Sequence, residues 1–331
     1  MKWLSILVAL VLVLCLVPLA YGDEVTGVTG KFTVKAKAPT VNSLEIYTDK
    51  ACTEVATSMT PQVTYYAKAN ITQQSGLKYL KTVEVYVYYD ASGSNPEPGE
   101  PHPQTCALLK WTADPEGWSI DAGGSVTWSI VPGDCSRPDN LNNTTGDWVF
   151  AFVVGKVATE TEASDNWDGK GIAANKNDRT GTNYVRDKGM NFYGEVTVAT
   201  TEVDWGEVDP GLLFEQSPNP QTGIETTYIA NGGHLRTIRG SDWAGASYTA
   251  YLDEEEAEPP AGDNEFALKA NDTNNLGAAK WVKKADVTVK SGTQTDENGV
   301  KVSTNTLWLS LSNNFEADEY SGDIYYGISN D

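Results

Sequence analysis

The sequence has few of the side chains on which most catalytic sites depend. It contains only two histidines, His102 and His234, and no Gly-x-Ser-x-Gly, His-Glu-x-x-His, Cys-x-x-Cys or phosphate-binding glycine-rich motif. A histidine-based triad or a two-histidine zinc site therefore lacks the residues it requires. His234 follows an Asn-Gly-Gly turn, where we expect it to be exposed. These absences exclude the common hydrolase, zinc-protease, nucleotide and redox signatures and favour a non-enzymatic role.

Basic residues are also scarce. The chain has 24 lysines and arginines against 45 aspartates and glutamates, which gives a formal net charge of −21. Nucleic acid is excluded as a partner, because binding a polyphosphate requires clustered basic side chains. Ten tryptophans, sixteen tyrosines and seven phenylalanines nevertheless provide the material for a substantial core.

A long apolar run occurs only at the start of the chain. Lys2 precedes the apolar residues 4–20, and Ala20 and Gly22 occupy the positions that signal peptidase requires before Asp23. We therefore predict a cleaved signal peptide in residues 1–22 and a secreted, extracellular or cell-surface protein; an uncleaved anchor is the alternative. No membrane span is predicted in the mature chain.

Three cysteines remain after this cleavage, and an odd number leaves one thiol without an intramolecular partner. We predict a disulfide between Cys106 and Cys135, with Cys52 free or an alternative partner for either of them. The export route also permits glycosylation. The four acceptor asparagines are Asn70, Asn142, Asn143 and Asn271.

The two-residue alternation of β-strands recurs along the chain, whereas no segment has a long helical periodicity. Residues 82–89 alternate valines with more polar neighbours, residues 307–311 place three leucines on one face, and residues 148–154 are apolar on both faces, as in a central strand. Asn298-Gly299 is a hairpin signal. The pattern predicts an all-β protein of antiparallel sandwiches.

The length of the mature chain suggests two domains. We predict one β-sandwich in residues 38–190 and another in residues 191–331, preceded by an amphipathic strand in residues 23–37. Residues 165–187 are rich in Asp, Asn, Gly and Lys, and we expect them to form a long surface loop before the boundary.

Several segments resemble known surface proteins. Residues 59–66, 117–121 and 146–152 resemble immunoglobulin-like modules of archaeal secreted surface proteins, and residues 203–211 and 320–328 resemble sandwiches associated with surface layers and filaments. The resemblance implies two tandem immunoglobulin-like sandwiches at a cell surface, and it carries over no catalytic residue.

The abundant acidic residues suggest calcium as the one candidate cofactor. Asp165 and Asp168, with Asn166 and Asn175 nearby, supply the hard oxygen ligands that calcium prefers, although their spacing does not match the twelve-residue calcium loop. A pair of carboxylates in a cleft would also allow a glycosidase, which is a further alternative function.

Exposed aromatic side chains would allow glycan binding. Most tryptophans lie in or beside strand patterns and are expected in the core, as in other sandwiches. Trp167 and Trp243, which have Asp or Gly neighbours, are the two candidates for stacking on a sugar ring, and a position in the core is the more common alternative for both. A glycan-binding surface module is therefore the main alternative function.

The first mature segment carries the most specific hypothesis. Val28, Phe32 and Val34 alternate with Lys31 and Lys35, which makes an amphipathic strand with a basic face in an acidic chain. Such a strand can add to an open sheet edge of a neighbouring subunit and build a filament or surface layer; the alternative is that it is the first strand of its own domain. Partners are then further copies of this chain, other cell-surface proteins, or glycans.

Overall fold

The computed structural model describes residue 31 and residues 37–162, 165–296 and 301–331. Contacts divide the chain into two units, Met1–Ala36 and Lys37–Asp331, and all strands of the described residues belong to the second. The predicted signal peptide lies outside the described residues, and so do Val28, Phe32, Val34 and Lys35 of the predicted N-terminal strand, whereas Lys31 is exposed. Across the described ranges, no helix is long and apolar enough to cross a membrane.

The described chain is built from β-strands and two single-turn 3-10 helices, Leu77–Tyr79 and Leu276–Ala278, which confirms the predicted all-β class. In chain order the strands are β1 (Thr40–Tyr47), β2 (Ser58–Met59), β3 (Thr64–Thr72), β4 (Leu80–Asp90), β5 (Cys106–Ala113), β6 (Glu116–Asp121), β7 (Ser129–Ile130), β8 (Thr145–Val153), β9 (Asn166–Asn175), β10 (Thr180–Met190), β11 (Gly194–Val198), β12 (Gln221–Ala230), β13 (His234–Gly240), β14 (Trp243–Ala244), β15 (Thr249–Leu252), β16 (Glu265–Asn271), β17 (Lys280–Trp281), β18 (Val287–Gly292), β19 (Lys301–Leu311) and β20 (Ile324–Asn330).

Strands β1 to β10 form two sheets in what we call the N-terminal half, residues 38–190. One sheet has the order β1-β3-β8-β7 and the other the order β2-β10-β9-β4-β5-β6. Strand β8 lies inside the first sheet, as predicted for residues 148–154. On β4, Val83, Val85 and Val87 are completely buried, so the predicted alternation places them in the core between the sheets.

Residues 165–187 do not form the predicted surface loop. They form most of the antiparallel hairpin of β9 and β10, which lies inside the six-stranded sheet. Their small residues face the core: a Cβ on Gly169 would lie 2.6 Å from Val185 Cγ1, and one on Gly171 would contact Leu44. The glycines of this segment led us to predict a loop from the sequence. In the structure they instead allow a strand to pack closely against its neighbours.

Strands β11 to β20 form two further sheets in the C-terminal half, residues 191–331. The larger has the order β11-β12-β19-β16-β15-β14, with β17 beside β16, and the smaller the order β18-β13-β20. The Asn298-Gly299 turn lies outside the described residues, and the strands before and after it, β18 and β19, belong to different sheets. The sheets separate at the predicted boundary, but Lys37–Asp331 is one compact unit, so the division into two domains stays a prediction.

The C-terminal half differs from expectation at two positions. On β19, Trp308 and Ser310 are buried together with Leu307, Leu309 and Leu311, so this strand is covered on both faces and is not half-buried. His234 is completely buried and packs against the ring of Tyr228 with the ring centroids 5.2 Å apart, so the expectation of an exposed turn histidine is wrong.

Candidate functional sites

Asn231, in the turn between β12 and β13, joins the two halves of the molecule. Its side-chain amide donates to the carbonyls of Ala158 and Asn191, both at 2.9 Å, and its side-chain oxygen accepts from the Tyr193 N–H at 2.7 Å. Its backbone accepts from the Glu160 N–H at 3.0 Å and donates to the Tyr193 carbonyl at 3.1 Å. The side chain is completely buried, so each of these bonds is protected from water.

Other side chains reinforce this junction. The Gln294 amide donates to the Val157 carbonyl at 2.8 Å, across a sequence separation of 137 residues. The Lys156 amine pairs with the Glu195 carboxylate at 2.6 Å, and this partner holds the Glu195 pKa below its usual value. The junction is therefore built mainly from hydrogen bonds to backbone groups and holds the halves in one arrangement.

A cleft of about 390 Å³ opens at this junction, lined by Tyr89, Glu160, Glu162, Asp165 and residues of the Asn231 turn. Two of its carboxylates have partners within the protein: Asp165 accepts from the Tyr89 hydroxyl and from the Glu162 N–H, and Glu160 accepts from the Asn330 amide. Burial raises the pKa of Glu160. In the described part of the chain, no three His, Cys, Asp or Glu side chains are arranged to bind a metal ion. The cleft therefore holds acids that shape the junction.

The predicted calcium ligands are not on one loop: Asp165 directly precedes β9, and the others lie along that strand. Asp168 is completely buried on β9, where it pairs with the Arg186 guanidinium and accepts the Asp187 N–H at 3.2 Å. Asn175 lies at the other end of β9 and donates to the Lys37 carbonyl at 2.9 Å. The structure thus satisfies Asp168 with a cation from the protein, and calcium binding by Asp165 and Asp168 stays a prediction.

The predicted disulfide is absent, because Cys52, Cys106 and Cys135 are all free thiols. Cys106 lies on β5 of the six-stranded sheet, whereas the Cys135 sulfur contacts Ala151 of β8 in the other sheet. Burial raises the pKa of the Cys106 thiol to about 12 and also raises that of Cys135. These thiols are protonated at neutral pH and are poor nucleophiles.

The glycosylation acceptors fall into two groups. Asn142 and Asn143 are exposed in a turn before β8, and the Asn142 side-chain oxygen accepts from the Lys78 amine at 3.0 Å. Asn70 is hydrogen-bonded on β3 to Asp147, and Asn271 is buried on β16, where its amide donates to the Asn275 carbonyl. The first pair is therefore the better placed to carry a glycan.

The two tryptophans that are candidates for glycan stacking are both packed against other rings. Trp167 is completely buried, packs with its ring tilted against Tyr89 and Trp128, and donates its indole N–H to the Thr159 carbonyl at 2.8 Å. Trp243 is partly buried, with its ring centroid 4.5 Å from that of Phe266. Trp167 therefore has the core position that is common for tryptophan and offers no face to a glycan, and packing leaves the Trp243 ring only partly accessible.

A proline-rich loop, residues 91–105, crosses the outer face of the six-stranded sheet. Three backbone N–H groups donate to the buried Asp90 carboxylate at its start. The Tyr88 hydroxyl donates to the Pro96 carbonyl at 2.9 Å, and Glu97 pairs with Lys170 of β9 and accepts from the Tyr184 hydroxyl of β10. The loop is thus fixed at several points.

We call the space between this loop and the sheet the loop groove. Its volume is about 450 Å³, within the range of ligand-binding clefts. It is lined by Tyr86, Glu97, Pro98, Gly99, Glu100, Pro101, Lys170 and Ile172. In the sequence this loop is visible as the turn cluster at residues 91–96 and as the Pro-rich surroundings of His102, but the register that places Tyr86 opposite Lys170 has no local signal.

Strand β11 is an edge of the seven-stranded sheet. Tyr193 and Ala199, at its two ends, bond to Asn231 and Glu225 on the β12 side. Backbone groups alternate in direction along an antiparallel strand. The N–H and C=O groups of Gly194, Val196 and Val198 therefore point away from β12. Among the described residues these outward groups have no hydrogen-bond partner. The alternating residues 194–198 are visible in the sequence, but their position at an edge is not.

Comparisons with known proteins leave the family open. No family model matches the chain, and no curated protein matches it. One solved structure that matches is described as a chaperone–tip adhesin complex in the biogenesis of CFA/I fimbriae. It is 10% identical, and the match covers 87% of this chain and 84% of that chain with a TM-score of 0.25. Similarity at this level carries no argument, so the all-β assignment depends on the strands themselves.

Proposed function

We propose that this protein is a non-enzymatic structural subunit of an extracellular assembly. In this proposal residues 23–37 of one copy add as a strand to the β11 edge of the next copy. The observation that carries the proposal is the unpartnered row of backbone groups on β11 within the described residues, because such a row is a template for strand addition.

The position of Lys37 favours a neighbouring copy over the same chain. The Lys37 carbonyl is bound by Asn175 at the end of β9, whereas Asn166 at its start follows directly on Asp165 of the junction cleft. Nine residue steps along β9 correspond to about 30 Å. An extended segment of residues 28–36 would have about the same length. To reach β11 of its own chain, the alternating segment would have to span this whole distance, so it could not also pair along β11.

Charge supports the same pairing. Residues 38–190 contain 12 basic and 19 acidic residues, whereas residues 191–331 contain 8 and 24, so most of the negative charge lies in the half that holds β11. Lys31, Lys35 and Lys37 in the tail are attracted to that half. Because donor and acceptor are different surfaces, the contact is heterologous and repeats into an open filament unless the geometry closes a ring.

The test compares residues 23–331 with residues 38–331 by light scattering and negative-stain electron microscopy, at low and high salt. We expect polymers from the longer chain only, weakened by salt because screening reduces the attraction. A synthetic peptide of residues 23–37 should bind the shorter chain. Equal assembly of both chains, or monomers from both at every salt concentration, would reject the proposal.

A point variant tests the acceptor edge separately. Val196→Pro removes an outward N–H without removing a bond to β12, because proline is tolerated where the N–H faces away from the sheet. Val196→Thr is the matched control, which keeps the N–H and the side-chain shape. We expect polymers from the Thr variant and none from the Pro variant, with unchanged circular dichroism in both. Assembly of the Pro variant would show that another edge accepts the tail.

A further inference from the structure

We propose that the loop groove binds a neutral saccharide unit. Its floor, Tyr86 and Ile172, comes from the outer face of the six-stranded sheet, and its wall is the loop segment with Pro98 and Pro101. A sugar ring has an apolar C–H face and a rim of hydroxyls. An aromatic floor beside polar groups is the surface such a ring requires.

The polar groups of the groove offer both donors and acceptors. The Tyr86 hydroxyl and the Glu100 carboxylate have no hydrogen-bond or ion-pair partner within the described residues, and Glu100 is exposed. Lys170 directs its amine to Glu97 and retains N–H groups for a ligand. Hydroxyls, which donate and accept at once, match this mixed set.

The charges argue against an ionic ligand of either sign. Glu97 and Glu100 repel an anion, while the Lys170 amine, which also lies over the Tyr184 ring at 5.7 Å from its centroid, disfavours a small cation. An uncharged, hydroxyl-rich ligand avoids both conflicts. Glu97, Gly99 and Glu100 of its wall are exposed, so the groove is accessible from solvent and suits one unit of a longer glycan.

The loop does not have to be ordered on binding. The Trp128 indole N–H donates to the Pro103 carbonyl at 2.8 Å, and the contacts of Asp90, Tyr88 and Glu97 hold the other end of the loop. Pre-organisation of this kind reduces the entropic cost of binding. The groove lies in the N-terminal half and uses neither β11 nor the tail, so this inference can fail or succeed independently of the proposed assembly.

The experiment titrates residues 23–331 with maltohexaose, cellohexaose, mannohexaose and chitohexaose up to about 10 mM, with binding followed by calorimetry and saturation-transfer NMR. Tyr86→Ala removes the floor, and Glu100→Gln changes one acceptor. Tyr79→Ala is the matched control, since Tyr79 is an exposed tyrosine that does not line the groove.

We expect at least one oligosaccharide to bind, with affinity reduced about tenfold or more in Tyr86→Ala and unchanged in Tyr79→Ala. Circular dichroism should be the same for all chains, because Tyr86 lies on the outer face of the sheet. Absence of binding to all four oligosaccharides, or equal binding by Tyr86→Ala, would overturn the proposal. Binding of tetramethylammonium that is lost in Tyr86→Ala would identify a cation site and overturn it as well.

Discussion

The two halves of this molecule fill their interiors with different chemistry. The N-terminal core is built on large aromatic side chains: Trp111, Trp128, Trp148, Trp167, Phe150 and Phe152 are all buried in one cluster. The C-terminal core is largely aliphatic, and it is accompanied by buried neutral polar residues, among them Thr226, Ser303, Asn305 and Ser310. One half is therefore held mainly by apolar burial, while the other depends more on satisfied hydrogen bonds.

The half with the more polar interior also has the more strongly charged surface. Formal net charge is −7 in residues 38–190 and −16 in residues 191–331, so the half with the more polar interior also carries the stronger surface field. It also holds the β11 edge. We expect the N-terminal half, which carries the loop groove, to be the more resistant to denaturation, and in the proposed assembly the C-terminal half would be the acceptor.

The largest effect should follow from opening the aromatic core. Trp148 is completely buried, with its ring edge toward Trp111 at a centroid distance of 5.5 Å. We expect Trp148→Ala to lower the free energy of unfolding by about 4 kcal/mol, measured by urea denaturation, because the surrounding rings cannot close the cavity. Trp308→Ala, in a smaller cluster with Phe214 and Ala267, should cost less.

A conservative variant separates cavity formation from the loss of a polar atom. Trp148 Nε1 is buried without a hydrogen-bond partner in the described residues. Trp148→Phe should therefore cost much less than Trp148→Ala, because it removes an unsatisfied N–H along with part of the ring. If Trp308→Ala lowered the free energy of unfolding more than Trp148→Ala does, the N-terminal core would not be the more sensitive of the two, and this comparison of the halves would be wrong.

The next effect should come from the residue that joins the halves. Asn231→Ala leaves the carbonyls of Ala158 and Asn191 and the N–H of Tyr193 without the side chain that satisfies them. We expect the free energy of unfolding to fall by about 3 kcal/mol. We also expect the single unfolding transition in urea to separate into two, one for each half. Asn330→Ala, which removes a single partner of Glu160 at the rim, is the control and should preserve one transition.

Local patterns in the sequence are sufficient to predict the strands but not to predict how the strands assemble into sheets. The valines of β4 and the apolar run of β8 lie in the core as predicted, because burial on a strand follows a two-residue period. The β9 hairpin escapes prediction because its glycines and alanines are core residues only opposite the larger side chains of β1 and β10. No local pattern contains that information.

The sites are less predictable for the same reason. Trp167 and His234 have the neighbours of turn residues, yet contacts from distant segments bury both. Asn231 has the sequence signal of a turn and no more, since its side-chain partners lie 38 to 73 residues away. The predicted pairing of Cys106 with Cys135 is wrong, because their separation in sequence does not reveal that Cys106 lies in one sheet whereas Cys135 contacts the other.

A smaller effect is expected from the polar core of the C-terminal half. The Asn305 amide donates to the Thr226 hydroxyl at 3.1 Å and to the Ile224 carbonyl at 3.3 Å. Asn305→Ala should cost about 2 kcal/mol in urea denaturation. The double variant Asn305→Leu with Thr226→Val should cost less, because it removes both partners together. Equal costs would mean that the buried amide adds little to stability.

The smallest effect should be a change in pH dependence at the junction. Burial, with Glu162 and Asp165 nearby, raises the pKa of Glu160, so the folded state keeps this proton to a higher pH than the unfolded state. Its contribution to stability is therefore complete below the usual carboxyl pKa and is lost as pH rises through the raised pKa of the folded state. Glu160→Gln should remove this dependence of the free energy of unfolding on pH and stabilise the protein by less than about 1 kcal/mol at pH 7.

Glu195 should have the opposite effect on the pH dependence of stability, because Lys156 lowers its pKa. Its stabilisation is lost as pH falls, and Glu195→Gln should destabilise the protein at pH 7. Urea denaturation at a series of pH values distinguishes the two variants, and slopes of the same sign would contradict this account of the junction.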